Sequence, residues 1–166
     1  IEVTQGLREA VEDKLGKLDR FFAPATEAVV RLSVQKDIQK IEVTIPVKGH
    51  IIRAEESSSD MYVSIDLVEE ILERQLKKYK NKLIDKKQSA PSFSEAFLQE
   101  DASAEEEIQI VKSKKFAVKP MDPEEACVQM ELLGHNFYVF LNADTEEVNV
   151  VYKRKGGTYG LIEPEF

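Results

Sequence analysis

The chain has a single cysteine, Cys127, and only two histidines, His50 and His135. One thiol excludes an intramolecular disulfide, and Cys127 with two scattered histidines does not make a zinc-site spacing. No run of about 18 apolar residues is present, the apolar stretches stopping at segments such as Phe137 to Leu141, so no transmembrane helix is expected. The sequence opens at Ile1 without a basic-then-apolar leader, which points to a soluble, cytoplasmic protein. Gly-rich phosphate loops, nucleophile elbows and metal-ligand motifs are also missing. Cofactor chemistry and catalysis are therefore not expected. Basic residues are absent between Ser89 and Glu107, a stretch of Ser, Ala, Pro and acid that reads as a flexible linker. Within it Phe93, Phe97 and Leu98 have the look of a docking motif, but stray apolar residues in a disordered stretch are the commoner case, and that reading is preferred.

What is present is charge, unevenly placed. Of 23 basic and 31 acidic residues, 16 of each fall in Ile1 to Gln88, leaving 7 and 15 for the remainder. The segment Arg74 to Lys87 gathers seven bases (Arg74, Lys77, Lys78, Lys80, Lys82, Lys86 and Lys87) against the single acid Asp85. Charge runs on helices are usually solvated faces, yet this excess inside a neutral half points to a polyanion, through phosphate contacts and counterion release.

Periodicity supplies the elements. From Thr4 the positions Leu7, Val11, Leu15, Leu18 and Phe22 mark an amphipathic helix to about Phe22. Lys14, Lys17 and Arg20 share one of its faces and extend the basic patch, with Glu12, Asp13 and Asp19 close by in sequence. After Pro24 the period changes to two, giving strands around Val30 to Val34 and Ile41 to Val47, then a short one from His50 to Glu55. Pro46 requires a strand end at an edge or an amide position facing solvent. Asp60 caps a long helix whose apolar stripe runs Ile65, Val68, Leu72, Leu76, Tyr79 and Leu83. His50 and Arg53 stand to pair with phosphate or with Asp60.

Beyond the acidic stretch a strand is expected from Ile108 to Val118, then a helix opened by Asp122 and Pro123 and closed by Gly134. Strands Phe137 to Leu141, Val148 to Arg154 and Thr158 to Glu163 follow, the last two joined by a Gly156-Gly157 turn. Cys127 lies inside this helix and His135 just past its end, but nothing local activates the thiol, so Cys127 reads as structural. Ile108 to Phe166 spans 59 residues. A core that small, below roughly 70 residues, rarely sustains itself without a disulfide, a metal or a partner. Phe137 to Leu141 is apolar on both faces, so a second copy is expected to cover one of them. The expected pairing residues are Phe137, Tyr138, Phe140, Val150, Tyr152, Tyr159 and Ile162.

The expected fold class is α+β. Ile1 to Gln88 is expected to form a β-α-β-β-β-α domain like double-stranded RNA-binding modules, residues 89–107 the linker, and residues 108–166 a small β-α-β-β-β domain. The sequence resembles the long form of the ribosome hibernation promoting factor, the ribosome-associated inhibitor or sigma-54 modulation family. In the first half the likeness rests on Ala54-Glu55, Asp60-Met61-Tyr62, Ile65-Asp66-Leu67 and Arg74-Gln75-Leu76. In the second it rests on Lys119-Pro120-Met121-Asp122, Leu132-Leu133-Gly134-His135, Asn142-Ala143-Asp144-Thr145, Val150-Val151-Tyr152 and Tyr159-Gly160-Leu161-Ile162-Glu163-Pro164.

The resemblance implies a first domain bound to rRNA in the decoding cleft of the small ribosomal subunit, and a second that pairs two copies and so two ribosomes. It also implies a full strand before the first helix, of which Ile1 to Val3 remain, so residues ahead of Ile1 are expected to be missing. The implied rRNA-binding set is Lys14, Lys17, Arg20, His50, Arg53, Arg74, Lys77, Lys78, Lys80, Lys82 and Lys86. A rival reading is a protein-interaction adaptor that modulates a transcription factor.

Overall fold

Thr4 sits in extended backbone and its hydroxyl accepts from the Leu7 amide, which starts helix α1 (Gln5–Gly16). The computed structural model describes residues 1–83, 92–100 and 108–166. Instead of running to Phe22, α1 tightens after Gly16 into a 3-10 turn (Lys17–Phe21). Eclipsed i, i+3 geometry there drives both Leu18 and Phe21 into the core.

Strands β1 (Val29–Gln35), β2 (Ile38–Val47) and β3 (His50–Ser58) form an antiparallel sheet in that order. Alternation sends Ile41, Val43, Ile45, Val47, Ile52 and Ala54 to one face, where they are buried. Pro46 lies beyond the last β1 pair, Val29 with Thr44, so one side of β2 needs no ladder donor at that point. Asp60 then caps α2 (Met61–Lys78), its carboxylate accepting from the Tyr62 amide at 2.9 Å. Met61, Ile65, Val68, Leu72 and Leu76 form the stripe that α2 buries on the sheet. At roughly 2 kcal/mol per buried side chain, this stripe is the main hydrophobic contribution of α2.

The long helix expected through Leu83 is broken at Tyr79, and Lys80–Leu83 forms a separate turn, α3. Lys86 and Lys87 lie outside the described residues. The acidic stretch also departs from expectation. Ser94 caps a short helix, α4 (Glu95–Gln99), and Phe93 and Phe97 are buried in the first core. The three apolar residues are therefore not stray, because the turn-by-turn spacing of Phe93 and Phe97 presents both rings to Phe21 and Phe22.

Tertiary contacts divide the chain into units Ile1–Ile108 and Gln109–Phe166. In the second unit the strand expected over Ile108 to Val118 is absent, and pairing begins only at β4 (Pro120–Met121), parallel to β5 (Phe137–Asn142). Ile110 and Val111 are each 88% exposed, so within one chain no neighbour rewards their β pattern. Asp122 caps α5 (Pro123–Leu133) by accepting from the Glu125 amide at 2.8 Å, and Gly134 ends it at φ +69°. β6 (Val148–Lys153) and β7 (Tyr159–Ile162) complete the sheet order β4-β5-β6-β7. Its core is small: Ala126, Met130, Phe140 and Val151, with a buried amide pair in which Asn142 donates to Asn149 at 2.9 Å.

Both units mix helices and sheet segregated along the chain, so the α+β class holds. No helix among the described residues is long and apolar enough to cross a membrane.

Candidate nucleic-acid interface

The helices α1 and α2 meet along a seam of opposite charges. Lys14 reaches Asp66 at 2.8 Å, while Glu73 takes both the Arg20 guanidinium and, at 2.8 Å, the Lys77 ammonium one turn along its own helix. Two of the three cations expected to extend the basic patch, Lys14 and Arg20, are thus paired with acids of α2, and Asp13 adds a weaker attraction on Lys14. The hydrogen bond to Asp66 raises the Lys14 pKa, and that from Lys77, aided by Arg20, lowers that of Glu73. Glu69 moves the other way, its carboxyl pushed up by burial and by Glu73, with Lys17 partly opposing. Along α2 acids precede bases, Asp66, Glu69, Glu70 and Glu73 giving way to Arg74, Lys77 and Lys78, which also suits the helix dipole.

The densest positive surface is therefore the C-terminal end of α2 and α3. Arg74, Lys77 and Lys82 are exposed there, and the Lys78 ammonium stands 5.3 Å from the centre of the Tyr79 ring. His50 and Arg53 line a shallow recess with Gln75, Tyr79 and Lys82, which brings two strand residues beside the helix end. Arg53 pairs with Glu55 at 3.2 Å and Glu42 at 3.5 Å, not with Asp60, which is occupied as the cap of α2.

Lys80 does not belong to this surface. The break at Tyr79 turns it inward, where it is 4% exposed, donates to the Glu100 carbonyl and lies 5.0 Å from the Phe97 ring centre.

The second unit presents an apolar sheet. On the face away from α5 the cross-strand rows are Phe137, Tyr152 and Gly160, then Val139, Val150 and Ile162, then Leu141 and Val148. Phe137 is 60% and Ile162 50% exposed. Gly160 lies under the Tyr152 ring, and a Cβ there would fall 2.2 Å from the ring carbon bearing the hydroxyl. Three of the expected pairing residues belong to the opposite face. Phe140 is fully buried beneath α5, Tyr138 packs against the same core, and Tyr159 donates its hydroxyl to Glu131 at 3.0 Å. An all-apolar run hides which side chains point inward, and the buried Asn142 and Asn149 decide it. Cys127 is half-buried on α5, its thiol pKa pushed up by burial and by Glu124 and Glu131, which disfavours the nucleophilic thiolate.

The family described as Sigma 54 modulation protein / S30EA ribosomal protein matches residues 1–84, and its C-terminus family matches residues 105–161. The chain belongs to this family. A relative from Lactococcus lactis, named ribosome hibernation promotion factor, is 48% identical, with 99% of this chain and 95% of the relative covered. Proteins of the same name from Staphylococcus aureus and Bacillus subtilis are 42% and 44% identical, covering 98% and 99% of this chain and 93% and 94% of theirs. A solved ribosomal subunit interface protein from Coxiella burnetii is 28% identical, covering 49% of this chain and 89% of its own, with a TM-score of 0.44. The Thermus thermophilus Protein Y N-terminal domain is 34% identical over 48% and 88%, with a TM-score of 0.42.

For this S30EA chain, sequence reasoning missed two groups. The carboxylates Asp66 and Glu73 sit one turn either side of Glu69 on the polar face of α2, a spacing that was available to read. The Ser94 cap followed by aromatic residues at helical spacing was the signal for α4.

Proposed function

We propose that this S30EA protein is a ribosome hibernation factor, its first unit binding rRNA in the decoding cleft of the small subunit and its second pairing two copies. Binding there overlaps the mRNA and tRNA paths and halts translation reversibly under stress or in stationary phase. Pairing joins two ribosomes as an inactive dimer in the cytoplasm. The role is one of binding, without catalysis.

The observation that carries this reading is the cationic end of α2 and α3, where Arg74, Lys77, Lys78 and Lys82 gather beside His50 and the α1 seam. Helix-borne cations recognise phosphate by charge and shape, with little demand on base sequence. The names borne by relatives over nearly the whole chain support the ribosome as the source of that phosphate. The apolar sheet face of the second unit supports pairing, because seven side chains in three rows form a patch of the kind soluble monomers rarely leave open.

Reversal of Lys77, Lys78 and Lys82 to Glu is expected to abolish co-sedimentation with ribosomes, and unchanged sedimentation would refute the reading. Binding should also weaken steeply with salt, by about 0.7–0.9 in log–log slope per phosphate engaged. A transcription-factor adaptor would instead keep its affinity as salt rises. Removing Gln109 to Phe166 should leave subunit binding intact and eliminate ribosome pairs on a sucrose gradient.

A further inference from the structure

Ser92 to Glu100 is held like a bound peptide. The Ala23 amide donates to the Ser92 carbonyl at 3.0 Å and the Ser94 amide to the Phe21 carbonyl at 2.9 Å, a short bridge between Phe22 and Phe93. The Lys48 amide donates to the Ser92 hydroxyl at 3.1 Å, and the Ser94 hydroxyl reaches the Arg20 carbonyl. Two aromatic anchors one helical turn apart fill the cleft. Phe97 meets Phe21 edge-on at 5.0 Å, and Phe93 stacks on Phe22 at 5.7 Å. At the far end Lys80 closes over Phe97 and grips the Glu100 carbonyl. This is helix-in-groove recognition with its ligand attached.

We propose that the cleft between the 3-10 turn, the β2–β3 hairpin and α3 is a docking site for a serine-capped F-x-x-x-F helical turn. Ser92–Glu100 fills it in cis, and its occupancy decides whether Lys80 joins the cationic surface. The occupant is fixed by what is seated: two phenylalanines and a Ser94 cap, held by the Lys48 amide, the Arg20 carbonyl and the Lys80 ammonium on the Glu100 carbonyl. Release would bare Phe21 and Phe22 and return an ammonium between Lys78 and Lys82. A segment of the first unit's own chain thus controls part of its charge.

The test is amine acylation of the full chain, read residue by residue by mass spectrometry. In the wild type Lys80 should react at least about tenfold more slowly than Lys82, because acylation must await local opening. Phe93→Ala with Phe97→Ala should erase that difference. A synthetic peptide of residues 92–100 should then bind the variant, restore protection of Lys80, and leave the wild type unbound because the tethered copy outcompetes it. Ser94→Pro, which removes the amide donor and the cap but keeps both rings, covers the case in which the double variant fails to fold, and it too should expose Lys80. Equal reactivity of Lys80 and Lys82 in the wild type, continued protection in Ser94→Pro, or a peptide that binds a folded double variant without protecting Lys80 would each overturn the proposal.

Discussion

The two sheets of this protein are built alike and finished differently. Each lays one face under a helix. The outer face of the first sets the exposed Val29, Ile38 and Ile51 at its margins around Arg31, Lys40, Glu42, Arg53 and Glu55, with Lys40 bridging Glu42 at 2.6 Å and Glu55 at 3.0 Å. The outer face of the second carries Phe137, Val139, Leu141, Val148, Val150, Tyr152 and Ile162. The first face suits water. The second, placed on so small a core, has little reason to be apolar unless another surface covers it. Under the proposed pairing, the difference separates a unit with a core of its own from one whose stability is tied to association.

That contrast is most easily broken from inside. Leu72→Ala in the first core and Phe140→Ala in the second should each cost about 3–5 kcal/mol in chemical denaturation, because both side chains are fully buried. If the units are energetically separate, each substitution should shift only its own transition. Next in size is the outer face of the second sheet. Phe137→Asp should reduce self-association by at least about thirtyfold in sedimentation equilibrium, a loss on the order of 2 kcal/mol, while leaving subunit binding unchanged. The equivalent charge on the first sheet, Thr44→Asp, should leave both association and ribosome binding within twofold.

Smaller effects sharpen the electrostatic side. Glu73→Gln takes away the carboxylate shared by Arg20 and Lys77, so ribosome binding should tighten by about fivefold, an effect of about 1 kcal/mol. The same variant should alter stability with pH. Since the folded Glu73 pKa lies below its ordinary value, its contribution is full above that ordinary value and is lost as pH falls through the lower folded one. Acid titration of the wild type should therefore show a loss of about 0.5 kcal/mol that is absent in Glu73→Gln, as partly exposed ion pairs allow.

Much of the framework was legible because it is written in local signals. Asp60 and Asp122 cap helices, Gly134 ends one with φ +69°, and alternation over Ile41 to Val47 gives the inward face of β2. What was hidden depends on distant partners. Nothing near Tyr79 in sequence announces a helix break, since neither glycine nor proline is there, yet that break turns Lys80 from a surface cation into a buried one. Phe93 and Phe97 were obscured by acidic surroundings that mimic a solvated tether, and their meaning appears only when Phe21 and Phe22 are placed beside them. In β5 the unbroken apolar run conceals its own alternation, which is why Phe140 and Tyr138 read as pairing residues with Phe137 although they lie on the face packed against α5. The strand expected over Ile108 to Val118 failed for a related reason, as β propensity counts only where a neighbouring strand accepts it.

The empty position at Gly160 has a consequence for association as well as for shape. Tyr152 can lie flat on the sheet only because its cross-strand neighbour has no side chain, and one added methyl group would lift the ring and redraw the relief of the whole face. Under the proposed pairing, Gly160→Ala would therefore weaken self-association while leaving the core beneath α5 intact.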